Sequence, residues 1–311
     1  MQAQPLCRSA RSSAAVIAVV ALLAVAGVAV YAVVSIARET PAEEGARKGA
    51  TGPTASETLL RVDPLITEGK GSEAVAVLLP AIEAYPQDQE LRLALARAYS
   101  LQKEWLKSSA AYEAALLLGK ETAALHAEAG TVANAAGKVE LAIERYGRAQ
   151  DLDPKNPIHP LYLGMVQIKA GKEREAMTSL LTATVLNPEL AAAWGSMGEL
   201  ELRANHLDLA LQHLAKARAI EPESFKWRLA EAKTHKRRNE PGKALDLLVN
   251  LPNDKRYSKE AVQVIADSLA MMKQVEGRAE FLRLAKAHAE GNGDAATVEL
   301  ITTVLAPATG G

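Results

Sequence analysis

The apolar and polar positions divide the chain into three stretches. Residues 14–37 contain no charged side chain and form an apolar run of 24 residues. As a helix, this run would extend about 36 Å, enough to cross a hydrocarbon core of about 30 Å. Residues 38–54 are instead rich in Pro, Gly, Thr and charged side chains, which predicts a linker. From residue 55 onward, apolar runs of helical length recur at a regular spacing.

We expect residues 14–37 to form a single transmembrane helix, preceded by an N-terminal tail of residues 1–13. A cleaved secretory signal is the alternative, because Arg8 and Arg11 resemble its basic region and residues 35–37 (Ser-Ile-Ala) resemble a cleavage site. The apolar run is longer than the roughly 7–15 residues usual in such signals. This length favours an uncleaved anchor.

The orientation of the predicted helix depends on the positive charges beside it, since cytoplasmic flanks carry more Lys and Arg. Arg8 and Arg11 precede the run, whereas Arg38, Arg47 and Lys48 follow it among acidic residues. A short tail normally stays inside, while a long domain can be translocated largely regardless of its charge. We therefore expect a single-pass protein of a bacterial inner (cytoplasmic) membrane, with its C-terminal domain in the periplasm.

Prolines mark a period of 34 residues in the rest of the chain. Pro154, Pro188 and Pro222 are 34 residues apart, and Pro86 lies two such periods before Pro154. Each follows an apolar run typical of a helix, as expected of a residue that cannot continue one. Residues able to cap the next helix soon follow, namely Asp88, Asn156 and Ser224. A fixed period of this length indicates a repeat architecture.

With each proline at position 32, the repeated unit resembles the 34-residue helix–turn–helix of the tetratricopeptide repeat (TPR) family. The predicted units are 55–88, 89–122, 123–156, 157–190, 191–224, 225–258 and a degenerate 259–292. Position 8, which the family keeps small, is Val62, Ala96, Gly130, Gly164, Gly198, Ala232 and Ala266. Position 20, also small, is Ala74, Ser108, Ala142, Ala176, Ala210 and Ala244. Position 24, large and apolar, is Leu78, Tyr112, Tyr146, Leu180, Leu214 and Leu248. A turn residue at position 15 is Gly69, Gly137, Gly171, Asn205 and Asn239.

The last predicted unit departs from this pattern, because Arg278 occupies position 20. We expect a one-residue shift onto Ala279 to restore the small residue there. Residues 293–311 follow as a predicted capping helix and tail, since a terminal repeat must present a polar face to solvent.

The resemblance implies an all-α fold, a TPR solenoid of helical hairpins wound into a right-handed superhelix, preceded by the single transmembrane helix. One amphipathic hairpin cannot bury its apolar stripe alone, but stacked hairpins share a continuous core. In the family, the concave surface of the stack binds peptides or other proteins. Trp194 stands at position 4, where the family often carries Trp, and we expect it in the core.

Composition argues against several other classes. A net charge of −1 gives no basic footprint for a nucleic-acid partner. The single Cys7 cannot form an intrachain disulfide or a Cys-based zinc site. His206 and His213 could share a helix face, but no further ligand at suitable spacing completes a metal site. Neither a GxSxG motif nor a P-loop occurs, and the units leave no space for a catalytic domain. We therefore expect no enzyme activity, cofactor, metal or small-molecule substrate.

The predicted groove changes character along the array. In the family, positions 2, 5, 9, 12 and 13 of each first helix face the concave surface. The fourth unit places a mostly apolar strip there, consisting of Ile158, Leu161, Met165 and Ile168. The sixth unit and the end of the fifth place cations there, namely Arg203, Lys226, Lys233, Lys236 and Arg237. Such a surface would suit an acidic and apolar segment or a C-terminal carboxylate. The alternative is a solvated helix end at 233–238, with cations favourably placed near the helix C-terminus.

The predicted function is that of a membrane-anchored adaptor or scaffold that binds proteins or peptides in its groove. Bacterial proteins of similar layout act in envelope assembly, including pilus and secretion complexes, cytochrome maturation and chaperoning at the translocon. One alternative is a scaffold on the cytoplasmic face that regulates a membrane-associated protease or polysaccharide machine. A second alternative is an enzyme whose catalytic residues form no recognisable motif.

Overall fold

The structure is a computed structural model that describes residues 52–305, which contain sixteen helices and no strand. The predicted transmembrane helix at 14–37 and the tail at 1–13 lie outside the described residues. The same holds for most of the linker at 38–54 and for residues 306–311. Within 52–305, no helix is both long enough and apolar enough to cross a membrane.

Fourteen of the described helices form seven consecutive hairpins. The first helices are α1 (Ala55–Thr67), α3 (Gln89–Leu101), α5 (Ala123–Ala135), α7 (Ile158–Lys169), α9 (Ala191–Arg203), α11 (Phe225–Arg237) and α14 (Lys259–Met271). The second helices are α2 (Gly71–Ala84), α4 (Trp105–Leu116), α6 (Val139–Leu152), α8 (Glu173–Leu186), α10 (Leu207–Ile220), α12 (Pro241–Leu248) and α15 (Val275–Gly291). The two remaining helices are α13 (Asn253–Arg256) and α16 (Ala295–Leu305). The prediction of an all-α solenoid of helical hairpins is confirmed, while the unit boundaries stay predictions.

The turns inside the hairpins share one backbone geometry. In each turn one residue has a positive φ of 57° to 77°, namely Gly69, Lys103, Gly137, Gly171, Asn205, Asn239 and Lys273. The next residue donates its N–H to a carbonyl five residues earlier, as Glu104 does to Tyr99 at 3.0 Å. Five of these positions carry the predicted Gly or Asn. Lys103 and Lys273 adopt the same conformation without that help, at a cost of about 1 kcal/mol each.

A small residue on the first helix and a large residue on the second helix form the core of each hairpin. All predicted position 8 residues are buried, and so are the residues at position 24. At Gly198, an added Cβ would lie 2.6 Å from Leu214 Cγ, closer than two carbon atoms can approach. The close approach of the two helices therefore depends on the absence of a side chain at this position.

The last hairpin keeps the register of the others, so the predicted shift onto Ala279 is wrong. Ala279 is exposed, whereas Leu282 and Ala285 are fully buried at the unshifted positions 24 and 27. The half-buried Arg278 occupies position 20. Helix α16 then packs on α15 and α14, burying Ile301 in the cluster that contains Leu282. This contact covers the face that a further hairpin would otherwise cover.

The sixth hairpin has the most irregular second helix. Helix α12 contains 8 residues, whereas the other second helices contain 12 to 17. In the 34-residue period, the helix-ending proline would stand at position 256, but Pro252 precedes it by one helical turn. Since proline cannot continue a helix, α12 ends early, and the four-residue α13 completes the connection to α14.

Candidate functional site

The first helices form one side of the stack, which we call the inner face. Helix α1 contacts α3, α7 contacts α9, α9 contacts α11, and α11 contacts α14. No two second helices of the described part approach each other to the same extent. Of the two kinds of helix, the first helices of neighbouring hairpins therefore lie closer to one another than the second helices do, and their exposed side chains are the natural place for a binding groove.

The predicted apolar strip on α7 is divided between surface and core. Ile158 and Met165 are exposed, at 37% and 42% of their full accessibility. Leu161 is only 5% exposed and packs with Leu180 and Met197, so it is not available to a partner. Ile168 is half-buried against the same cluster. Tyr162, which the position rule did not select, is exposed beside them.

Three of the predicted cations meet in one cleft on the inner face. Lys233, Lys236 and Arg237 of α11 line a cleft of about 520 Å³. Helix α14 adds Lys259, Glu260 and Gln263 to its polar lining. Leu202 of α9, Val264 of α14 and Leu300 of α16 supply the apolar part of its surface. We call this site the basic cleft.

Only one cation of the basic cleft has a direct carboxylate partner among the described residues. The Nζ of Lys236 lies 2.7 Å from Asp267 Oδ2, and Gln263 donates to the other oxygen of that carboxylate at 2.8 Å. Arg237 donates from Nη1 to the backbone oxygen of Leu202 at 2.8 Å, a contact that leaves its charge unbalanced. Lys233 has no ion-pair partner within 52–305.

The other two predicted cations lie outside the lining of the basic cleft. Arg203 is exposed beside Leu202 and makes no ion pair with any residue that the structure describes. The Nζ of Lys226 is 3.5 Å from Glu199 Oε1 and 4.3 Å from the centre of the Trp227 ring. Arg203 can therefore add to the positive electrostatic potential at the cleft, whereas Lys226 interacts with Glu199 and Trp227 instead.

A network on α11 outside the lining of the basic cleft fixes this helix in place. The Glu231 carboxylate, only 6% exposed, accepts a hydrogen bond from Arg218 Nε of α10 at 2.6 Å. His235 Nδ1 lies 2.7 Å from Glu240 Oε2, and this hydrogen bond lowers the pKa of Glu240. The cations Lys233 and Arg237 therefore project from a helix whose position is held by Arg218 of α10 and by Glu240 in the turn before α12.

The helix that contributes Leu300 is fixed by its own cap. Asp294 accepts hydrogen bonds from the hydroxyl and the backbone N–H of Thr297, at 2.5 and 3.0 Å. These bonds lower the pKa of the Asp294 carboxyl, and Lys259 contributes to the same shift. A charged cap at the start of α16 stabilises the helix and keeps Leu300 against the cleft.

Part of the basic cleft could have been found from the sequence. Gln263 and Asp267 stand at positions 5 and 9 of the last unit, so the family position rule predicts them on the concave side. Lys259 and Leu300 give no such signal. Leu300 follows the last repeat, and its approach to the cleft depends on how α16 folds back over α14 and α15.

A second cleft, of about 540 Å³, lies against α6 and contains charges of both signs. Arg148 Nε is 3.1 Å from Glu121 Oε2, and Arg145 Nη2 is 2.5 Å from Glu113 Oε2. The buried His126 places Nε2 3.3 Å from the same Glu121 oxygen. Because its cations are paired within the protein, this cleft offers less attraction to a charged partner than the basic cleft.

The histidines considered for a metal site do not come together. His206 Nδ1 is 2.7 Å from Glu201 Oε2, while the His213 ring stacks on Trp194 with ring centres 5.7 Å apart. Burial lowers the pKa of His213. No group of three or more His, Cys, Asp or Glu side chains within 52–305 has an arrangement that could hold a metal ion.

Trp194 is half-buried and lies at the edge of the core. Its Nε1–H donates to the backbone oxygen of Pro188 at 2.8 Å, and Lys216 Nζ lies 4.0 Å from its ring centre. The buried tryptophan is instead Trp227, which is 3% exposed and packs over Gly195. Trp194 therefore packs against the core, as expected, but is only partly buried there.

Comparison with known proteins shows what the chain is similar to. No protein-family model and no curated protein matches it. Among solved structures, it is similar to YrrB, a TPR protein with an unusual peptide-binding site, with a TM-score of 0.53 and 21% identity. That match covers 60% of this chain and 95% of the YrrB chain.

Two further structures give a similar result over more of this chain. The match to PilF of Pseudomonas aeruginosa has a TM-score of 0.55 and 18% identity, covering 73% of this chain and 99% of the other. The match to the C-terminal part of a TPR protein from Cytophaga hutchinsonii has a TM-score of 0.60 and 15% identity, covering 77% and 98%. At these identities the likeness establishes the fold. The described part of the chain is an all-α, TPR-like helical repeat solenoid.

Proposed function

We propose that the chain is a membrane-tethered scaffold that binds segments of other proteins on its inner face, without catalysing a reaction. The observation that carries this proposal is the combination of exposed apolar side chains on α7 with unbalanced cations on α11, both on the inner face. Exposed apolar side chains rimmed by polar ones are typical of interaction surfaces, and cations without a carboxylate partner are complementary to an acidic one. The peptide-binding site of the similar protein YrrB supports the same use of this fold.

The tether in this proposal is the uncharged run at 14–37. Its length suits a bilayer, and the Pro- and Gly-rich linker at 38–54 would hold the solenoid away from the lipid surface. The solenoid in this proposal is extracytoplasmic and attached to the inner membrane of a bacterium, since a long domain can be translocated largely regardless of its charge. A scaffold in this place would serve the assembly of envelope complexes.

The proposal is tested by photocrosslinking from the full-length chain in cells. A photoreactive amino acid replaces Met165 on the inner face, and the matched control replaces Val185, an exposed apolar residue on the second helix α8. We expect specific protein adducts from position 165 and few from position 185. Equal labelling from both positions, or none from either, would contradict the groove proposal.

The orientation is checked in the same cells with alkaline phosphatase fused to the C-terminus, because this enzyme is active only outside the cytoplasm. We expect an active reporter that remains in the membrane fraction. An inactive reporter with retained crosslinking would instead favour a scaffold on the cytoplasmic face. A reporter released from the membrane would contradict the tether.

A further inference from the structure

The basic cleft has more positive charge than its own residues balance. Its lining includes Lys233, Lys236, Arg237 and Lys259, against the carboxylate of Glu260 and that of Asp267 bound to Lys236. The lining alone therefore has an excess of two cations. The excess is still two when the neighbouring Arg203 is counted together with the Asp294 carboxylate, whose charge interacts with Lys259. A partner that brings carboxylates would remove this imbalance.

The cations are also placed where they repel each other. Lys233 and Arg237 stand four residues apart on α11, so their side chains share one face of the helix. Like charges at this spacing destabilise a helix, and Lys259 brings a third charge to the same cleft from α14. In the second cleft, by contrast, Arg145 and Arg148 each have a carboxylate partner.

The apolar part of the basic cleft sets a second requirement on the occupant. Leu202, Val264 and Leu300 come from three different helices and meet in the cleft. A volume of about 520 Å³ lies within the roughly 300–1,000 Å³ common for binding sites. An apolar side chain that enters would displace water from the half-buried Leu202 and Leu300, above the buried Val264, while carboxylates beside it would reach the cations at the rim.

The distribution of the cations distinguishes between two kinds of acidic ligand. They arise from the middle and end of α11, from the start of α14 and, for Arg203, from the end of α9. One C-terminal carboxylate could approach only one or two of these groups at hydrogen-bonding distance. Several side-chain carboxylates along an extended segment could approach all of them.

We propose that the basic cleft binds a partner segment in which one large apolar residue is flanked by Asp or Glu side chains, and that α16 forms one wall of this site. The inference rests on the proposed function, since it identifies the chemistry of the segment that the inner face binds. It also gives the last helix a role beyond covering the end of the array, because Leu300 contacts the apolar side chain of the partner.

The test measures fluorescence anisotropy of a labelled peptide with the full-length protein in detergent micelles. The probe has blocked ends and a central Leu flanked by two Glu on each side. We expect it to bind with an affinity that falls as the salt concentration rises. Replacement of all Glu by Gln should weaken binding by at least about tenfold, as expected for the loss of charge-assisted hydrogen bonds.

Matched variants separate the cleft from the general charge of the protein. Lys233→Glu should weaken probe binding at least about tenfold. Lys155→Glu makes the same charge change at an exposed position between α6 and α7, away from the cleft, and should leave binding unchanged. Equal effects of the two variants would overturn the assignment of the cleft.

The role of α16 is tested with Leu300→Ala, by measuring how strongly the variant and the parent protein each bind two different probes. This variant should weaken binding of the Leu probe several-fold and leave binding of a probe with Ser in place of Leu almost unchanged. Equal losses for both probes would show that Leu300 acts through folding alone and would overturn the wall assignment. The same variant is compared with the parent protein by thermal unfolding.

Three further outcomes would overturn the proposal. These are no binding of the Glu probe, equal binding of the Gln probe, and tighter binding of a Gln probe that has a free C-terminal carboxylate. Each of them leaves crosslinking from position 165 unaffected. A failure of the basic cleft can therefore be distinguished from a failure of the proposed scaffold function.

Discussion

The central hairpins, from α5 to α10, and the C-terminal region, from α11 to α16, are built on the same core contact but have different surfaces. In both regions a small residue on the first helix packs with a large one on the second, as Gly164 does with Leu180 and Ala266 with Leu282. The central helices have 12 to 14 residues, whereas the C-terminal second helices have 8 and 17.

The difference shows which features the solenoid requires and which can vary. The small-to-large contact persists where helix length does not, so this contact defines the hairpin. The pairing of charges varies within both regions. Lys172 and Arg145 pair with carboxylates of the preceding hairpin, as Arg238 does in the C-terminal region, whereas Arg203 and Lys233 have no ion-pair partner among the described residues. The surface of the C-terminal region can therefore be used for binding without disturbing the core.

The largest loss of stability is expected from a substitution at Gly195, which lies where the central hairpins meet the C-terminal region. A Cβ at this position would overlap the ring of the buried Trp227, and an aromatic ring cannot move without disturbing its own neighbours. We expect Gly195→Ala to lower the free energy of unfolding by about 3 kcal/mol, measured by urea denaturation.

Gly147→Ala is the matched control for this prediction. Gly147 lies inside α6, and beyond its chain neighbours and the backbone of its own helix no atom lies within 4 Å of an added Cβ. Alanine is the better helix former, so the control should raise stability by about 0.5–1 kcal/mol. The same substitution should thus have opposite signs at the two positions, and equal effects would show that helix propensity dominates over packing.

A second comparison tests the register in each region with the same enlargement of an alanine. Ala176 is fully buried in the fourth hairpin, so Ala176→Leu should overpack it and cost about 1–3 kcal/mol. Ala279→Leu adds the same atoms at an exposed position of α15 and should change stability by less than about 0.5 kcal/mol. Thermal unfolding of the two variants measures the contrast. A large loss of stability in Ala279→Leu would instead support the register shifted by one residue.

The smallest expected effect concerns the turns of the two regions. Lys273 and Gly171 occupy equivalent turns with φ of 57° and 75°. Lys273→Gly should raise stability by about 0.5–1 kcal/mol, because glycine removes the clash of the side chain in this conformation. Gly171→Lys should lower stability by a similar amount, as measured by denaturant midpoints. A destabilising Lys273→Gly would show that unfolded-chain entropy outweighs the relief of strain.

The hairpins can be predicted well from the sequence because each one is determined by residues close together in the chain. Pro86, Pro154, Pro188 and Pro222 end helices through the geometry of their own backbone, and the small residues at position 8 are needed for a contact inside one hairpin. Features that depend on several hairpins were only partly predictable. Leu161 matched the groove pattern, yet packing against Met197 of the next hairpin buries it.

The candidate site shows the same limit. Lys233, Lys236 and Arg237 could be predicted as a group, since they share one helix face. The neutralisation of Lys236 by Asp267 could not, because it joins residues 31 positions apart through the stacking angle of two hairpins. The contribution of Leu300 depends on a helix outside the repeat period, for which no position rule exists.

The composition of the basic cleft has a consequence for how the array could change in length during evolution. Duplication or loss of one of the earlier hairpins would create junctions like those already present and leave the cleft intact. The cleft itself joins residues from Leu202 to Leu300, across α9, α11, α14 and α16. An added hairpin inside this span would separate its walls. We therefore expect homologues to vary in the number of their N-terminal and central repeats, while the last repeats and α16 are inherited as one block.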